Sequence, residues 1–377
     1  MLLELHPDLE FLRETTAKFL TEQMPVNEVR RLRDEPAGFD TAYWRRGADL
    51  GWTSLLVDEA DGGGSISGEG LMDLAAVAFE FGRHAGPGPL VSVNVVLSAL
   101  TGRDPHRELI GGLLTGDTFA TWCHEEGPPN DQLESLSLTI TVDGDELVLN
   151  GQKRPVESAD VADHLLVSGQ SPDGPTQALV PADTPGVSLR ALTGVDLTRR
   201  FFVVTFDNVR VPINALVGSL GDAAADLEHQ LHIALVILNA ESVGTMQRAF
   251  DITAEWALDR YSFGRPIASY QAIKHRFADM KTWLEAGHAI SDVAAQAVTA
   301  GQANAGELVS AAKAFIGERG SELMQECVQF HGGIGLTFEH DLHLYLRRQT
   351  LNRVLLGTPA THRQRIARLT IQREEAS

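Results

Sequence analysis

Cysteine is scarce in this sequence of 377 residues, which contains only Cys123 and Cys327. The two form no Cys-x-x-Cys pair, so the sequence predicts neither a disulfide framework nor a zinc ribbon. It also lacks any apolar run near the roughly 18 residues that span a membrane. The first residues, MLLELHPDLEFL, have neither the basic region nor the apolar core of a secretion signal. We therefore expect a cytoplasmic protein that does not enter a membrane.

Positive charge is the second deficit. The chain has 31 lysine and arginine residues against 51 aspartate and glutamate residues, which gives a formal charge of −20. Nucleic acids and anionic membranes are bound by basic faces, so this balance argues against both as partners. A small anionic ligand needs only a local arginine or a helix N-terminus, and it is therefore compatible with the composition.

Helical spacing runs through the first part of the chain, residues 1–116. The segment FLRETTAKFLTEQM places side chains at the intervals of one helix face, and these are Phe11, Leu12, Thr15, Phe19 and Leu20. A second helix, LMDLAAVAFEFGRH, is nearly apolar throughout and is expected to end near Gly82. A glycine-rich loop, DEADGGGS, lies between them. We assign residues 1–116 to a helical domain.

The apolar period changes to two between residues 117 and 220. The segment LSLTITVDGDELVLNGQK contains two alternating runs around Asp143-Gly144-Asp145, which is typical of a β-hairpin. Further short runs of the same kind follow in DHLLVSGQ, QALVPA, VSLRAL and FFVVTFDNVRVP. The pattern predicts a small antiparallel β domain.

Helical spacing returns in residues 221–377 as four long segments, 223–258, 268–297, 305–329 and 339–373. Helices of this number and length are typical of a four-helix bundle. The order is α, then β, then α, so we expect the α+β fold class. Three glycines in four positions, in QFHGGIG, interrupt the bundle pattern. Glycine permits either a tight turn or the close approach of a ligand to the backbone.

Four segments are similar to motifs of the acyl-CoA dehydrogenase family, in the family's order and at its separations. They are FDNVRVP (206–212), VGTMQRA (243–249), RYSFGRPIASYQAIKHRFADM (260–280) and QFHGGIG (329–335). The sequence resembles that family over essentially its whole length. The resemblance implies the family's fold, with an N-terminal helical domain, a middle β domain and a C-terminal four-helix bundle.

The resemblance also implies a cofactor, FAD. In the family, the last two motifs contact the ADP half of an FAD that is bound mainly by a neighbouring subunit. The residues at those positions are Arg260, Phe263, Gln271, Gln329, Gly332 and Gly333. Arg260 supplies planar donors with a permanent charge, which suit a pyrophosphate. Gly332 and Gly333 let backbone N–H groups come close to it.

Family members convert an acyl-CoA thioester to the trans-2-enoyl-CoA, and a glutamate removes the proton next to the thioester carbonyl. That glutamate lies either in a C-terminal Tyr-Glu-Gly-Thr turn or on the first bundle helix. In this sequence the two positions are Leu356 and Ala234, so both usual bases are missing. Glu241 is the substitute candidate, because seven residues return it to nearly the same helix face as Ala234. The same seven residues also displace it by roughly 10 Å along the axis.

The flavin-binding segments of the β domain also depart from the family. The stretch that lines flavin and substrate is WCHEEGPPND (122–131), which keeps only Glu125. The segment whose tryptophan and threonine back the flavin ring is KRPVES (153–158), in which Pro155 replaces the tryptophan. We therefore expect the chain's own flavin-ring site to be lost and the part that reaches a neighbour's FAD to be kept.

With its own flavin-ring site altered and its contacts to a neighbour's FAD kept, the chain resembles the degenerate subunit of actinobacterial heterotetrameric acyl-CoA dehydrogenases. Those enzymes are of the steroid side-chain type. The leading hypothesis is a subunit that completes the FAD site of a paralogous catalytic subunit in an α2β2 assembly. Two alternatives stay open: a self-sufficient homotetramer that uses Glu241 as its base, and a helical interaction protein that has lost flavin. For either enzyme, the resemblance implies an acyl-CoA substrate and an electron-transfer flavoprotein as electron acceptor.

A metal site is not expected. His331, His340 and His343 lie near Glu339 and Asp341, but they straddle a turn and have none of the recognised ligand spacings. Histidines of a surface loop explain this pattern better.

Overall fold

The computed structural model describes residues 6–32, 35, 38–127 and 135–375. The N-terminal helices in this part of the chain are α1 (Pro7–Gln23), α2 (Val26–Leu32), α3 (Thr41–Asp49), α4 (Gly70–His84), α5 (Leu90–Leu100) and α6 (Arg107–Thr115). The two helices that the spacing predicts are therefore confirmed as α1 and α4.

The apolar face predicted for α1 is wrong at one position. The buried side chains of α1 are Leu9, Leu12, Thr16 and Leu20, whereas Phe11 is 69% exposed. One residue corresponds to a rotation of about 100° around the helix, so Phe11 lies well away from the face that carries Leu12. That face packs against α4.

The β segments join into one sheet. Its strands in the described residues are β1 (Ala120–Cys123), β2 (Thr139–Asp143), β3 (Glu146–Glu157), β4 (His164–Ser171), β5 (Gly174–Pro181), β6 (Val187–Leu192), β7 (Phe201–Pro212) and β8 (Leu216–Val217). The strand order is β6-β7-β3-β2-β4-β5-β8, and β1 pairs with β4. The predicted hairpin is confirmed, because Asp143 pairs with Glu146 across the turn.

The sheet is mixed, so the prediction of a purely antiparallel domain is wrong. β1 runs parallel to β4, and β2 meets β4 in parallel where Thr139 pairs with Gln170. A hairpin signal in a sequence reports only neighbours that a tight turn connects, and no tight turn connects these pairs.

The C-terminal helices are α7 (Ala224–Asp259), α8 (Gln271–Thr299), α9 (Ala305–His331), α10 (Leu342–Asn352) and α11 (Pro359–Glu375). A short hairpin of β9 (Tyr261–Ser262) and β10 (Arg265–Pro266) joins α7 to α8. The segment 339–373, predicted as one helix, contains both α10 and α11. The helix breaks between them, where Leu356 and Gly357 have φ angles of 53° and 102°, outside the right-handed helical region.

Two glycines let α4 and α7 cross in close contact. A Cβ atom on Gly82 would lie 1.9 Å from the carbonyl oxygen of Glu241, and one on Gly244 would lie 1.9 Å from that of Phe79. Both collisions would be with backbone, which cannot move aside as a flexible side chain can. The crossing therefore places the Glu241 turn of α7 directly against the end of α4.

The N-terminal helices and the bundle share one continuous apolar core, and a second core lies within the sheet. The division into domains at 1–116, 117–220 and 221–377 stays a prediction. No helix in the described residues combines the length and the apolar composition that crossing a bilayer requires.

Candidate functional site

The two motifs predicted to reach a neighbour's FAD meet at one exposed corner of the bundle. Arg260 caps the end of α7, and its guanidinium lies 5.9 Å from the Trp256 ring. At the end of α9, the His331 ring stacks on the same tryptophan at 5.1 Å. The Trp256 indole N–H also donates to the Phe330 carbonyl at 3.1 Å. Trp256 therefore joins motifs that are far apart in the sequence.

The hairpin after α7 presents Phe263 to solvent. Ser262 pairs with Arg265 across the turn Phe263-Gly264, and the two turn residues have φ angles of 49° and 82°. Tight hairpins favour this geometry, but it is uncommon for a residue with a large side chain. The Phe263 side chain is 96% exposed, so packing within the chain does not hold it there. An uncommon backbone conformation without internal packing suggests a contact outside the chain.

The glycine motif completes this corner. α9 ends at His331, and Gly332 follows with a φ of 65°. A Cβ atom on Gly332 or Gly333 would meet nothing within 4 Å. The space in front of this backbone is open to an external group, as a phosphate site requires.

All six predicted cofactor residues are exposed: Arg260, Phe263, Gln271, Gln329, Gly332 and Gly333. The Tyr270 hydroxyl donates to the Ser262 carbonyl at 2.9 Å and so fixes the start of α8, where Gln271 lies, to the hairpin. A stack of Phe277 on Phe330 at 5.0 Å holds α8 against the end of α9. A guanidinium, two amides and open backbone on one surface fit the ADP half of FAD, and their assignment to FAD stays a prediction.

The predicted flavin-ring site of the chain itself is a cavity of about 40 Å³ between the sheet and the bundle. Its walls include His124, Glu125 and Pro155 from the sheet, and Leu355 and Leu356 from the α10–α11 turn. Pockets for drug-sized ligands have volumes of roughly 300–1,000 Å³. This cavity has room only for a few water molecules. A flavin ring does not fit within this volume, and the loss of the chain's own ring site stays a prediction.

Side chains of the two altered segments occupy this region. The Trp122 indole stacks on the His124 ring at 4.5 Å, with 8° between the planes. Lys153 is buried, and its Nζ donates to the His124 carbonyl at 3.0 Å and to Glu126 Oε1 at 2.6 Å. Part of the first segment, residues 128–131, lies outside the described residues.

Neither usual base position carries a group that accepts a proton. Ala234 is fully buried on α7, and Leu356 is buried in the turn between α10 and α11. The Leu356 N–H donates to Glu125 Oε1 at 3.2 Å, so a carboxyl group from the sheet contacts this turn. The turn is held from the other side by His362, whose Nε2 lies 2.8 Å from the Leu356 carbonyl oxygen.

Glu241 is buried, and both of its carboxylate oxygens are paired. Oε1 accepts from Arg348 Nη1, and Oε2 accepts from Arg199 Nη1 at 3.3 Å and from Asn352 Nδ2 at 3.1 Å. The cavity beside it has a volume of about 10 Å³. A general base must come within about 3 Å of the proton that it removes, and no acyl group has room to bring one here. The predicted catalytic role of Glu241 therefore gains no support from this geometry.

The ion cluster around Glu241 extends into the sheet and its loops. Arg199 forms a two-pronged pair with Glu157 at 2.5 and 2.7 Å, and Arg348 pairs with Asp196 at 2.5 Å. Burial opposes the charged form of Arg199, but Glu157 and Glu241 outweigh burial and raise the pKa of Arg199. Burial also opposes ionisation of Asp196, but Arg348 outweighs it and lowers the pKa of that carboxyl. The charged forms of Arg199 and Asp196 are therefore favoured despite their burial.

Three titratable groups that contact the end of α10 and the α10–α11 turn have strongly shifted pKa values. Burial raises the pKa of Glu125 to about 7 and lowers the pKa of Lys313 to about 7. Burial also lowers the pKa of His362 to about 3. Glu125 is recognisable in the sequence as the retained residue of its segment. Lys313 and His362 are single polar residues within helical spacing, and the sequence carries no signal that separates them from surface groups.

In the part of the chain that the structure describes, no three His, Cys, Asp or Glu side chains come together as ligands for a metal ion. The rings of His331 and His340 are 4.6 Å apart, and both pack against Trp256. These two histidines therefore contribute to the packing of the turn.

Two family models match the chain. Residues 6–103 match the model described as "Acyl-CoA dehydrogenase, N-terminal domain", and residues 227–370 match "Acyl-CoA dehydrogenase, C-terminal domain". The chain is also 30% identical to acyl-CoA dehydrogenase IpdE2 of Mycolicibacterium smegmatis, in an alignment that covers 95% of this chain and 97% of the relative.

Solved structures agree with these matches. A variant of the Tcur3481-Tcur3483 steroid ACAD is similar with a TM-score of 0.88 at 30% identity, over 98% of this chain and 99% of that chain. The ChsE4-ChsE5 complex from Mycobacterium tuberculosis is similar with a TM-score of 0.86 at 25% identity, over 98% of each chain. The predicted α+β fold, with N-terminal helices, a middle sheet and a C-terminal bundle, is thereby confirmed. The chain belongs to the acyl-CoA dehydrogenase family, a class of FAD-dependent oxidoreductases.

Proposed function

We propose that this chain is the non-catalytic subunit of a heteromeric acyl-CoA dehydrogenase and completes the FAD site of a paralogous catalytic subunit. The assembly converts an acyl-CoA thioester to the trans-2-enoyl-CoA. The α2β2 arrangement is part of the proposal. It is supported by the paired names of two similar structures, the Tcur3481-Tcur3483 steroid ACAD and the ChsE4-ChsE5 complex.

One observation carries the proposal: the residues assigned to the outer half of a cofactor are exposed, whereas the cavity assigned to its flavin ring is very small. The exposed corner presents Arg260, Gln271 and Gln329 to solvent. The inner cavity of about 40 Å³ has room for neither a flavin ring nor a thioester. These two features are expected of a chain that contacts the ADP half of an FAD while another subunit binds the flavin ring.

The roles of the corner follow from its chemistry. Bound FAD supplies the hydride acceptor of the reaction. The Arg260 guanidinium places a fixed positive charge against the pyrophosphate, and the backbone at Gly332 approaches it without a side chain in the way. Phe263 and Gln271 flank the adenine side, and Gln329 offers an amide to the ADP half beside the glycine motif. This chain therefore binds and orients the cofactor, and the proton is removed by a base of the partner subunit.

The wider assignments rest on the family and on these relatives. We infer that the substrate is a bulky acyl-CoA of the steroid side-chain type, since one similar structure is named as a steroid ACAD. We also infer a cytoplasmic location and an electron-transfer flavoprotein as electron acceptor.

The test is the FAD content per chain, measured from the visible flavin spectrum. The chain is produced alone and also together with the acyl-CoA dehydrogenase encoded beside it. We expect no flavin in the first sample and about one flavin per two chains in the second. In the co-produced sample, Arg260→Gln should lower the flavin content, whereas Arg190→Gln, an exposed change on β6, should not. One flavin per chain in the sample produced alone would overturn the proposal.

The self-sufficient homotetramer makes a different prediction. It requires Glu241 as base, so Glu241→Gln would abolish turnover in the chain purified alone. Under our proposal the chain alone has no turnover. In the co-produced assembly, Glu241→Gln should lower the stability of the chain but have little effect on the turnover rate. Turnover by the chain alone that is lost in Glu241→Gln would establish the alternative.

A further inference from the structure

A second cavity lies away from both cofactor regions and has a volume of about 350 Å³. It is enclosed by the end of α1, the start of α2, the end of α4, and one face each of α7 and α10. Its volume is within the range of roughly 300–1,000 Å³ that small-molecule sites occupy. Neither the proposed FAD contacts nor the Glu241 cluster lines it.

Two arginines line this cavity, although the chain as a whole has a charge of −20. Arg83 comes from the last turn of α4, and Arg248 comes from α7. Arg83 Nε is buried and has no hydrogen-bond partner among the described residues. An N–H buried without an acceptor is costly, so Arg83 is incompletely satisfied by its own chain. The remaining guanidinium N–H groups of Arg83 and Arg248 are the donors that a ligand oxygen in the cavity would use.

The carboxylates nearby do not neutralise both arginines. Asp251 Oδ2 lies 3.4 Å from Arg83 Nη2, and its other oxygen accepts from Gln247 at 2.7 Å. Glu80 Oε2 also lies 3.7 Å from His84 Nδ1. The carboxylates near the cavity therefore lie on the side of Arg83 and His84, and Arg248 has none within ion-pair distance in the described residues.

Other polar groups at the rim are compatible with an anion. Burial raises the pKa of the Tyr345 hydroxyl, and the nearby charge of Arg248 acts in the opposite direction, so this hydroxyl lies close to Arg248. His84 Nε2 lies 3.1 Å from Thr21 Oγ1. Burial lowers the pKa of His84, and the charges of Arg83 and Arg248 lower it further, as expected in a region of positive potential. The opposite wall is apolar and consists of Met24, Pro25 and Val26.

We propose that this cavity binds a small oxyanion, a phosphate or a carboxylate that carries a short apolar group, between Arg83 and Arg248. The guanidiniums supply paired N–H donors to the oxyanion. The apolar group packs against the wall at the start of α2. The site is separate from the FAD corner, so it stands or falls independently of the proposed function.

The experiment titrates the full-length chain, in the assembly that it forms, with phenyl phosphate and separately with benzoate. Isothermal titration calorimetry at neutral pH and fixed ionic strength measures each dissociation constant. We expect saturable binding of at least one probe, and the comparison shows whether phosphate or carboxylate is preferred. Arg83→Gln and Arg248→Gln should each weaken that binding roughly tenfold or more. Arg190→Gln, with the same loss of charge on the exposed face of β6, should leave it unchanged.

Two milder variants keep the test decisive if Arg248→Gln does not fold. Tyr345→Phe removes only the hydroxyl and should weaken binding several-fold. Arg248→Lys keeps the charge but loses the planar pair of donors, so its affinity should lie between those of the unchanged chain and Arg83→Gln. The proposal is overturned if neither phenyl phosphate nor benzoate binds saturably. It is also overturned if all of these variants bind a probe with the dissociation constant of the unchanged chain.

Discussion

Arg348 is fully buried on α10, yet each of its nitrogens has a partner. Nε pairs with Asp196 at 2.5 Å, Nη1 pairs with Glu241, and Nη2 donates to the Gly86 carbonyl at 3.3 Å. These contacts join α10 to the loop before β7, to α7 and to the loop after α4. A buried guanidinium so placed stabilises the junction only while all of its partners are present.

Arg348→Met should lower the free energy of unfolding by about 3–5 kcal/mol, because Asp196 and Glu241 stay buried with one countercharge fewer. Urea denaturation followed by circular dichroism measures this loss. The matched control is Arg347→Met, the same change at the preceding residue. Arg347 lies at the surface, where its Nη1 donates to the Val195 carbonyl at 3.1 Å. That variant should lose no more than about 1 kcal/mol. Equal losses would show that the cluster does not stabilise the fold.

Glu125 makes stability depend on pH in an unusual direction. Burial raises its pKa to about 7 in the folded chain, against an ordinary value of 4.5. The folded state therefore holds this proton more tightly than the unfolded state does, and the free energy of unfolding falls as the pH rises from about 4.5 to about 7. Glu125→Gln should remove this fall and make the chain more stable at pH 8 by about 2–3 kcal/mol. Urea denaturation across this pH range measures the difference between the two chains.

Glu126, the neighbour of Glu125, is a control because its pKa is shifted in the opposite direction. Burial would raise the pKa of Glu126, but its contact with Lys153 outweighs burial and lowers the pKa. Glu126 therefore contributes stability above its unfolded pKa, and that contribution is lost as the pH falls through its folded pKa. Glu126→Gln should destabilise the chain at neutral pH. If both substitutions changed stability in the same direction at pH 8, the environment inferred for Glu125 would be wrong.

Among the elements, the β9–β10 hairpin combines an uncommon backbone conformation at its tip with almost no packing of that tip against the rest of the chain. Phe263 adopts a positive φ at its tip and packs against almost nothing in its own chain. The helices on either side are fixed by Tyr270 and by Trp256. A rigid base that presents an exposed aromatic tip is well suited to contact a group outside the chain.

Phe263→Ala should leave the stability of the isolated chain within about 0.5 kcal/mol, because the lost side chain is exposed. It should lower the flavin content of the co-produced assembly, which the visible spectrum measures after gel filtration. Phe11→Ala is the matched control, since Phe11 is also exposed but lies on α1. We expect that variant to change neither quantity. Full flavin content in the Phe263 variant would remove Phe263 from the cofactor site.

At the scale of the whole molecule, several exposed apolar side chains belong to the segments that form the proposed cofactor corner, the end of α7 with the β9–β10 hairpin and the turn after α9. They include Leu258, Tyr261, Phe263, Leu336 and Phe338. Exposed apolar groups that lie together often mark a surface that another protein covers. The same corner carries the proposed cofactor contacts, so one interface would bury both.

If the proposed catalytic partner covers this corner, hydrogen exchange should slow in residues 258–266 and 332–338 when the two chains are co-produced. Backbone amides covered by an interface exchange more slowly, and mass spectrometry of peptides from the two samples measures the change. The turn at Gly144-Asp145 projects from the sheet and should exchange equally fast in both. Unchanged exchange at the corner, in an assembly that gel filtration shows to be intact, would place the interface elsewhere.

Local rules predicted most of the fold but failed at three places. Phe11 was assigned to the buried face, although spacing cannot say where a helix face ends. The segment 339–373 was taken as one helix, because neither Leu356 nor Gly357 reveals its φ angle in a helical pattern. The parallel pairing of β1 with β4 has no local signal, since the two strands are far apart in the chain.

The sequence by itself determined the family and the order of helices and strands. It also placed Ala234 and Leu356 where the family resemblance implies a base, and the FAD contacts that it implies stay a prediction. Each of these depends on residue types at short separations, which a sequence states directly. Only the tertiary structure decided that the cavity beside Glu125 and Leu356 is small and that Glu241 is paired with Arg199 and Arg348. It alone brought Arg83 and Arg248 to one cavity. These depend on side chains from distant segments, and their burial and pairing exist only once the helices and the sheet have packed together.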